Sequence, residues 1–351
     1  MRAKGRGTIS AVVGRYLEYQ REAQQDDWFD DGEDRSVRTS VTVERPRTII
    51  SKNQSPDIPF DQSINPYRGC EHGCIYCYAR PTHAYLDLSP GIDFETVLFA
   101  KDNADELLRR ELSRPSYHCR PIAMGTNTDP YQPVERERRI TRRIIEVLWE
   151  CRHPLTIVTK SRLVERDIDL LAPMAAQGLV MISLSVTTLD NDLARRLEPR
   201  AGIPRRRLEC IRTLSEAGIP TGVMVAPVIP FLNDTEMESI LDAAAQAGAE
   251  SAGYIMVRLP HEIKTLFREW LQEHVPLKAD HVMHMIQDIR GGKDNDAQFF
   301  RRQRGRGVYA EMIRKRFEHH CKRLGLNRIE RTLDTGKFIA PVMLGDQMNL
   351  F

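Results

Sequence analysis

No run of apolar residues in this 351-residue chain approaches the length needed to cross a membrane. The N-terminus shows no signal-peptide core, so a cytoplasmic protein with no membrane association is expected. Neither sign of charge is in surplus: 51 Lys and Arg stand against 49 Asp and Glu, a formal net charge of +2. That excludes a whole-chain polyelectrolyte argument, and any attraction for phosphates must be local. Cysteine is too sparse for a disulfide framework. There are seven, an odd number, and Cys119, Cys151, Cys210 and Cys321 are scattered, as in a reducing compartment.

The remaining three thiols are not scattered. Cys70, Cys74 and Cys77 fall within eight residues at C-x3-C-x2-C spacing, directly after Asn65-Pro66-Tyr67-Arg68-Gly69. Thiolates are soft ligands suited to iron–sulfur clusters or zinc. A structural zinc is normally closed by a fourth ligand, and no fourth cysteine follows at finger or ribbon spacing. Two readings stay open at this point. One is a cluster with three protein ligands and one iron left for a small molecule. The other is zinc completed by His72 or His83, in a non-catalytic nucleic-acid-binding protein.

The chain divides by composition. Residues 1–55 read as an N-terminal arm, partly disordered, with a basic start and an acidic run from Asp26 to Asp34. From Ile64 short apolar runs alternate with helical patterns. A first strand is expected from Ile64 to Gly69, delivering the thiol loop. Further strands are expected at 122–125, 155–159, 180–185, 221–226 and 251–257. Helices are expected at 137–150, 163–177, 205–217 and 234–248. Six strands with intervening helices predict parallel strands in an α/β fold. Residues 259–340 read as a helical, basic extension, and 341–351 as a tail.

The C-x3-C-x-aromatic-C loop, with Tyr76 as the aromatic, resembles the radical S-adenosylmethionine (SAM) superfamily. The resemblance implies a [4Fe–4S] cluster on Cys70, Cys74 and Cys77, whose open iron chelates SAM. It also implies a partial (β/α)6 TIM-like barrel over 56–258, a reductive cleavage of SAM, and hydrogen abstraction fed by an external flavodoxin- or ferredoxin-type electron donor. In such barrels function lies at the C-terminal ends of the strands. The residues there are Thr128 and Asp129 as acceptors for the SAM ammonium, Lys160 for its carboxylate, and Ser185 and Glu198 for the methionyl or ribose part. Ala226 is an apolar shelf for adenine, and Tyr76 stands inside the loop. The series Thr128-Asp129, Val158-Thr159-Lys160, Ser185, Glu198-Pro199 and Val225-Ala226-Pro227 is similar to the spore photoproduct lyase branch. Those lyases carry a cysteine just before the Thr-x-Asp stretch, where this chain has Gly125 and Thr126. Tyr78 and Tyr131 are the candidates for a radical relay.

Two further segments suggest partners. From Arg301 to Arg331 the chain is strongly basic, with Tyr309, Ile313 and Phe317 on one helix face, which suits a nucleic acid. The last residues, Gln347-Met348-Asn349-Leu350-Phe351, resemble the sliding-clamp-binding pentapeptide. These two features would recruit the enzyme to DNA, and a nucleic-acid base or lesion is the substrate expected. His281 and His284 are three apart, so they share a helix face and could bind metal.

Overall fold

Short β-branched runs bounded by glycine and proline form the strands, and the amphipathic stretches between them return as helices. In the computed structural model, residues 5–16 and 38–342 are described. Ten strands occur among them: β1 (Ser40–Val43), β2 (Ile50–Lys52), β3 (Gln62–Ile64), β4 (Tyr67–Arg68), β5 (Val97–Ala100), β6 (Ile122–Met124), β7 (Leu155–Thr159), β8 (Val180–Ser185), β9 (Thr221–Val228) and β10 (Ser251–Met256). The main sheet runs β10-β9-β8-β7-β6-β3-β2. Its six strands β3 and β6 to β10 are parallel, and β2 is added antiparallel beside β3. This is the expected six-stranded parallel unit.

The helices are α1 (Ile92–Thr96), α2 (Ala104–Leu112), α3 (Glu135–Arg138), α4 (Ile140–Glu150), α5 (Ile168–Ala176), α6 (Asn191–Leu197), α7 (Pro204–Glu216), α8 (Met237–Gln246), α9 (Ile263–His274), α10 (Pro276–Asp288) and α11 (Gly307–Leu324). Their apolar stripes cover the sheet in one large core that includes Ile144, Leu148, Leu171, Ile211 and Ile240. Each such side chain stabilises the fold by roughly 1.5–3 kcal/mol when fully buried.

Several expectations need correction. The strand before the thiol loop does not run from 64 to 69. It ends at Ile64, and after Pro66 the chain joins a second, three-stranded sheet ordered β1-β5-β4. Proline has no N–H for a central ladder, so the chain changes partner there. Helix 137–150 is broken at Arg139, which adopts φ 52. The break lets the Glu135 carboxylate accept from the amides of Thr141 (3.0 Å) and Arg142 (3.4 Å) and so cap α4. After Pro260 the helical extension opens with two helices, α9 and α10, separated where Pro276 forces Val275 out of helical geometry.

Residues 5–16 and 38–55, the described parts of the N-terminal arm, are fastened to the rest of the fold. The amides of Arg6, Gly7 and Thr8 donate to the Glu95 carboxylate at 2.6, 2.9 and 3.1 Å. A side chain at Gly7 would place its Cβ 1.8 Å from the Gly73 carbonyl oxygen, so this segment presses directly on the thiol loop. β1 and β2 are built into the two sheets. The acidic run lies outside the described residues.

The C-terminal helices share a core with the loop. Cys74, Ile75 and Tyr76 pack with Leu197 of α6, Phe267 and Trp270 of α9, and Val282 of α10. The segment between α10 and α11 ties together the two edges of the open sheet. Gln303 O accepts from Met256 N of β10 at 2.8 Å, and Arg302 clasps Asp57, which lies between β2 and β3, at 2.8 and 2.5 Å.

Candidate active site

Gly69 (φ 77) and Gly73 (φ 67) bend the backbone around the three thiols. A Cβ on Gly69 would meet Leu98 Cδ2 at 2.6 Å and Phe94 O at 3.0 Å, so glycine is required by both conformation and space. The loop is held from behind by Arg80, which is fully buried. Its guanidinium donates to the carbonyls of Cys74 (2.8 Å), Gly73 (3.0 Å), Gly91 (2.9 Å) and Pro90 (3.2 Å) and to the Glu95 carboxylate (2.5 Å). Five donors fixed in one plane make a rigid bracket for a loop with no regular structure. From the front, Gln132 accepts from Glu71 N at 2.8 Å and donates to Gly69 O at 3.2 Å.

Cys70 and Cys74 are buried, Cys77 is half-buried, and all three are free thiols. Burial pushes the Cys70 thiol well up. It pushes Cys74 up to about 12, although Lys160 opposes the shift. Thiolates are favoured there only when positive charge arrives with a ligand, and metal binding supplies it. The donor set, three free thiols in one bracketed loop, therefore fits an iron–sulfur cluster. A single zinc fits poorly. It would need four donors roughly 2.0–2.3 Å from one centre, and among the described residues no three His, Cys, Asp or Glu side chains gather around one ion. His83 is turned away to Val97 O at 3.0 Å and packs on Phe94, while His72 lies 3.4 Å from Asp129. His281 packs on the Phe231 ring, centroids 4.1 Å apart.

The ends of β6, β7 and β8 converge on this loop. Asp129 acts as a clasp. Its Oδ1 accepts from Thr159 Oγ1 (2.6 Å) and Tyr131 N (2.9 Å), and its Oδ2 from Lys160 N at 2.8 Å, with His72 Nδ1 at 3.4 Å. Burial alone would raise this carboxyl, but His72, Thr159 and the Lys160 amide hold it at about 2. Asp129 is thus fully engaged within the protein. The turn before it is fixed by Asn65, whose Oδ1 accepts from Asn127 N (3.0 Å) and Thr128 N (3.4 Å), while Thr128 Oγ1 donates to Tyr67 O at 3.3 Å.

Lys160, at the end of β7, is different. Its ammonium lies 5.9 Å from the centroid of the Tyr76 ring and makes no hydrogen bond within the described residues. Burial disfavours its charge, but Cys74 and Glu198 raise its pKa overall. Glu198 joins a buried network: Tyr76 Oη and Arg207 donate to it, as does Thr187 Oγ1 at 2.6 Å. Burial would raise the Glu198 carboxyl, yet Arg207 and Lys160 hold it at about 2. Arg207 also donates to Ser185 O at 3.0 Å, which ties the end of β8 to the same carboxylate, and Thr187 Oγ1 lies 3.2 Å from Ala226 O of β9. The Ser185 hydroxyl has no hydrogen bond within the described residues.

The two tyrosine candidates separate cleanly. Tyr131 is fully buried, donates to Asp167 at 3.0 Å, and sits in the main core; its surroundings assign it to packing. Tyr78 is 45% exposed, donates to Thr126 O at the end of β6, and stacks against Arg258 beyond β10. Gly125 (φ 89) cannot carry the lyases' cysteine, because its Cβ would lie 1.9 Å from Val158 O.

The arginines within α11 are paired with carboxylates, as is Arg331 after it. Arg314 pairs with Glu311 (2.5 Å) and Glu318 (2.6 Å), Arg316 with Glu238 (2.7 Å), Arg323 with Asp242 (3.3 Å) and Arg331 with Glu250 (2.7 Å). The clamp-like pentapeptide lies outside the described residues. Sequence reasoning missed Arg80, Glu95, Arg207 and Arg258. Only Arg80 left a local signal, a basic residue three positions after the last thiol.

A sequence profile described as the radical SAM superfamily matches residues 64–244. An uncharacterised protein of Mycobacterium tuberculosis is 40% identical over 221 residues, 62% of this chain and 65% of that protein. One from Methanocaldococcus jannaschii is 30% identical over 173 residues, 49% of this chain and 62% of that protein. The matches thus span less than two thirds of these relatives' lengths. Among solved structures, spore photoproduct lyase complexed with dinucleoside spore photoproduct is similar with a TM-score of 0.60 at 16% identity, covering 82% of this chain and 80% of that one.

Proposed function

Because this chain belongs to the radical SAM superfamily, we propose that it is an enzyme that cleaves SAM reductively and abstracts hydrogen from a substrate at the barrel mouth. Cys70, Cys74 and Cys77 would hold a [4Fe–4S] cluster, with electrons from a flavodoxin- or ferredoxin-type donor. When bound, the cluster supplies the electron that splits SAM into methionine and the hydrogen-abstracting 5′-deoxyadenosyl radical.

The chain's own residues orient and shield. Lys160 carries the reading: an ammonium beside Cys74 with no protein hydrogen-bond partner suits the SAM carboxylate. The backbone carbonyls of Asn127 and Thr128 would take the SAM ammonium, and Asp129 serves by holding that turn against Lys160. The Ser185 hydroxyl and the Glu198 network lie on the ribose side, and Ala226 provides an apolar edge. With no cysteine at the end of β6, Tyr78 is the residue assigned to a hydrogen relay.

Anaerobic reconstitution with iron and sulfide counts tests this, followed by a dithionite-driven assay for 5′-deoxyadenosine. The parent should carry about four irons and form deoxyadenosine. Cys74→Ala should lose both while keeping its circular dichroism. Unchanged deoxyadenosine yield in that variant, or one zinc and no sulfide in the parent, rejects the proposal.

A further inference from the structure

One cation at the mouth remains unaccounted for. Arg258 follows β10 and is half-buried. Its Nε is shut off from water without a partner, and its other nitrogens make no hydrogen bond within the described residues. Its guanidinium carbon lies 5.2 Å from the centroid of Tyr78, the residue after Cys77. Its charged neighbours include Arg302 and Asp57, and Asp57 is already held by Arg302 and by Phe300 N at 3.1 Å. A guanidinium offers five donors and stays charged. Leaving them unmet in a recess is unfavourable unless a ligand meets them.

The pattern continues outward. Arg302 lies 4.9 Å over the Phe299 ring, and Phe299 and Phe300 are 49% and 66% exposed. Phe300 has φ 64, a left-handed backbone that residues with a Cβ adopt only under constraint. Asp57 supplies that constraint by accepting from the Phe300 amide. A strained backbone is thus holding an apolar ring in water, against what burial favours. From the thiol loop to the surface, one ring, two guanidinium groups and two further rings follow one another: Tyr78, Arg258, Arg302, Phe299 and Phe300.

We infer that this strip is the track for a single-stranded nucleic acid substrate. Arg258 takes the backbone phosphate nearest the thiol loop, and Phe299 and Phe300 stack on bases farther out. The inference rests on reading the mouth as a hydrogen-abstraction site, and it names the substrate class. Exposed rings need unstacked bases, which a duplex does not offer. The paired arginines of α11 would give a duplex backbone little to hold. An acidic peptide could satisfy Arg258 but gives two exposed flat rings nothing to recognise.

The test is fluorescence anisotropy of labelled strands of about 12 nucleotides, DNA and RNA, with the reconstituted full chain at several salt concentrations. Single strands should bind at least about tenfold more tightly than a blunt duplex or a poly-glutamate peptide. Arg258→Gln should weaken binding by about tenfold and lower the log–log salt slope by about 0.7, one phosphate's share. Phe299→Ala with Phe300→Ala should weaken binding by about tenfold or more with the slope unchanged, since stacking carries no net charge. Arg314→Gln should leave binding as it was. Equal binding by the parent, the Arg258 variant and the double phenylalanine variant overturns the inference, as does tighter binding of duplex or peptide. If Arg258→Gln does not fold, the phenylalanine variant decides alone. Deoxyadenosine assays on the same preparations separate the two readings. Deoxyadenosine without strand binding removes the track and leaves the chemistry; strand binding by a cluster-loaded protein that forms no deoxyadenosine does the reverse.

Discussion

Two regions of this molecule are rich in basic side chains, and they are built in opposite ways. Along α11 the arginines meet carboxylates one by one, within the helix and across to α8. At the barrel mouth Lys160 and Arg258 have no hydrogen-bond partner within the described residues, while Asp129, Glu198 and Asp57 are each bound by protein donors. An exposed pair gains little and cancels its own field within a few ångströms. An unpaired cation in a recess keeps its field where the local dielectric is low. The density of basic letters in the sequence pointed to α11; the availability of charge points to the mouth.

The largest break in that arrangement comes from freeing a mouth carboxylate. Arg207→Met strips Glu198 of its buried partner, and leaving one charge of such a pair unmatched should destabilise the fold by about 3–5 kcal/mol. Urea unfolding at pH 7 measures it. A loss under about 1 kcal/mol would mean that the pair does not hold the end of β8. The freed Glu198 should also turn toward Lys160 and weaken SAM binding.

The opposite end of the barrel gives a contrast in which charge is excluded. His153 precedes β7, is fully buried, and contacts Tyr117 Oη at 2.7 Å and Pro154 O at 3.0 Å. Burial holds its pKa down to about 4, against the bond to Pro154 that favours the charged form. The unfolded chain takes this proton near the ordinary value of about 6.5. Between these values the unfolded state binds more protons, so the stability is complete above about 6.5 and falls as pH drops toward 4. The difference is on the order of 3 kcal/mol. Urea midpoints compared between the parent and His153→Gln should diverge across that window and run parallel above it.

Next in size is the unpaired lysine. Lys160→Met removes the cation proposed for the SAM carboxylate and should weaken SAM binding by about 10- to 100-fold, the worth of one charged hydrogen bond. Iron and sulfide content should not change. Equilibrium dialysis with labelled SAM checks the first, and iron and sulfide counts the second. Unchanged affinity would place the SAM carboxylate elsewhere and leave Lys160 without the role proposed for it.

What the sequence disclosed follows the range of the interactions involved. β7 and β8 have the expected bounds because short apolar, β-branched runs and flanking turns are local signals. The thiol loop is local as well. The support of the loop is not: Glu95 holds residues 6–8 from nearly ninety positions away, and Asp57 meets Arg302 across 245. The N-terminal residues looked unfolded because they have little apolar content, yet a carboxylate and a glycine contact hold them, and neither alters hydropathy. Which arginine finds a carboxylate is likewise settled only by the tertiary fold.

The smallest effect is expected where the sequence looked most charged. Arg314 sits on the solvent face of α11 between Glu311 and Glu318, three and four positions away, the spacing of neighbours on one helix face. All three side chains are well exposed, so water screens the pairing and the ordering of long side chains offsets part of it. Arg314→Gln should therefore leave Tm within about 1 °C of the parent, and added salt should erase even that difference. A larger shift, or one that persists in high salt, would mean that α11 depends on its charges as the mouth does. The contrast between engaged and available cations would then no longer separate the two regions.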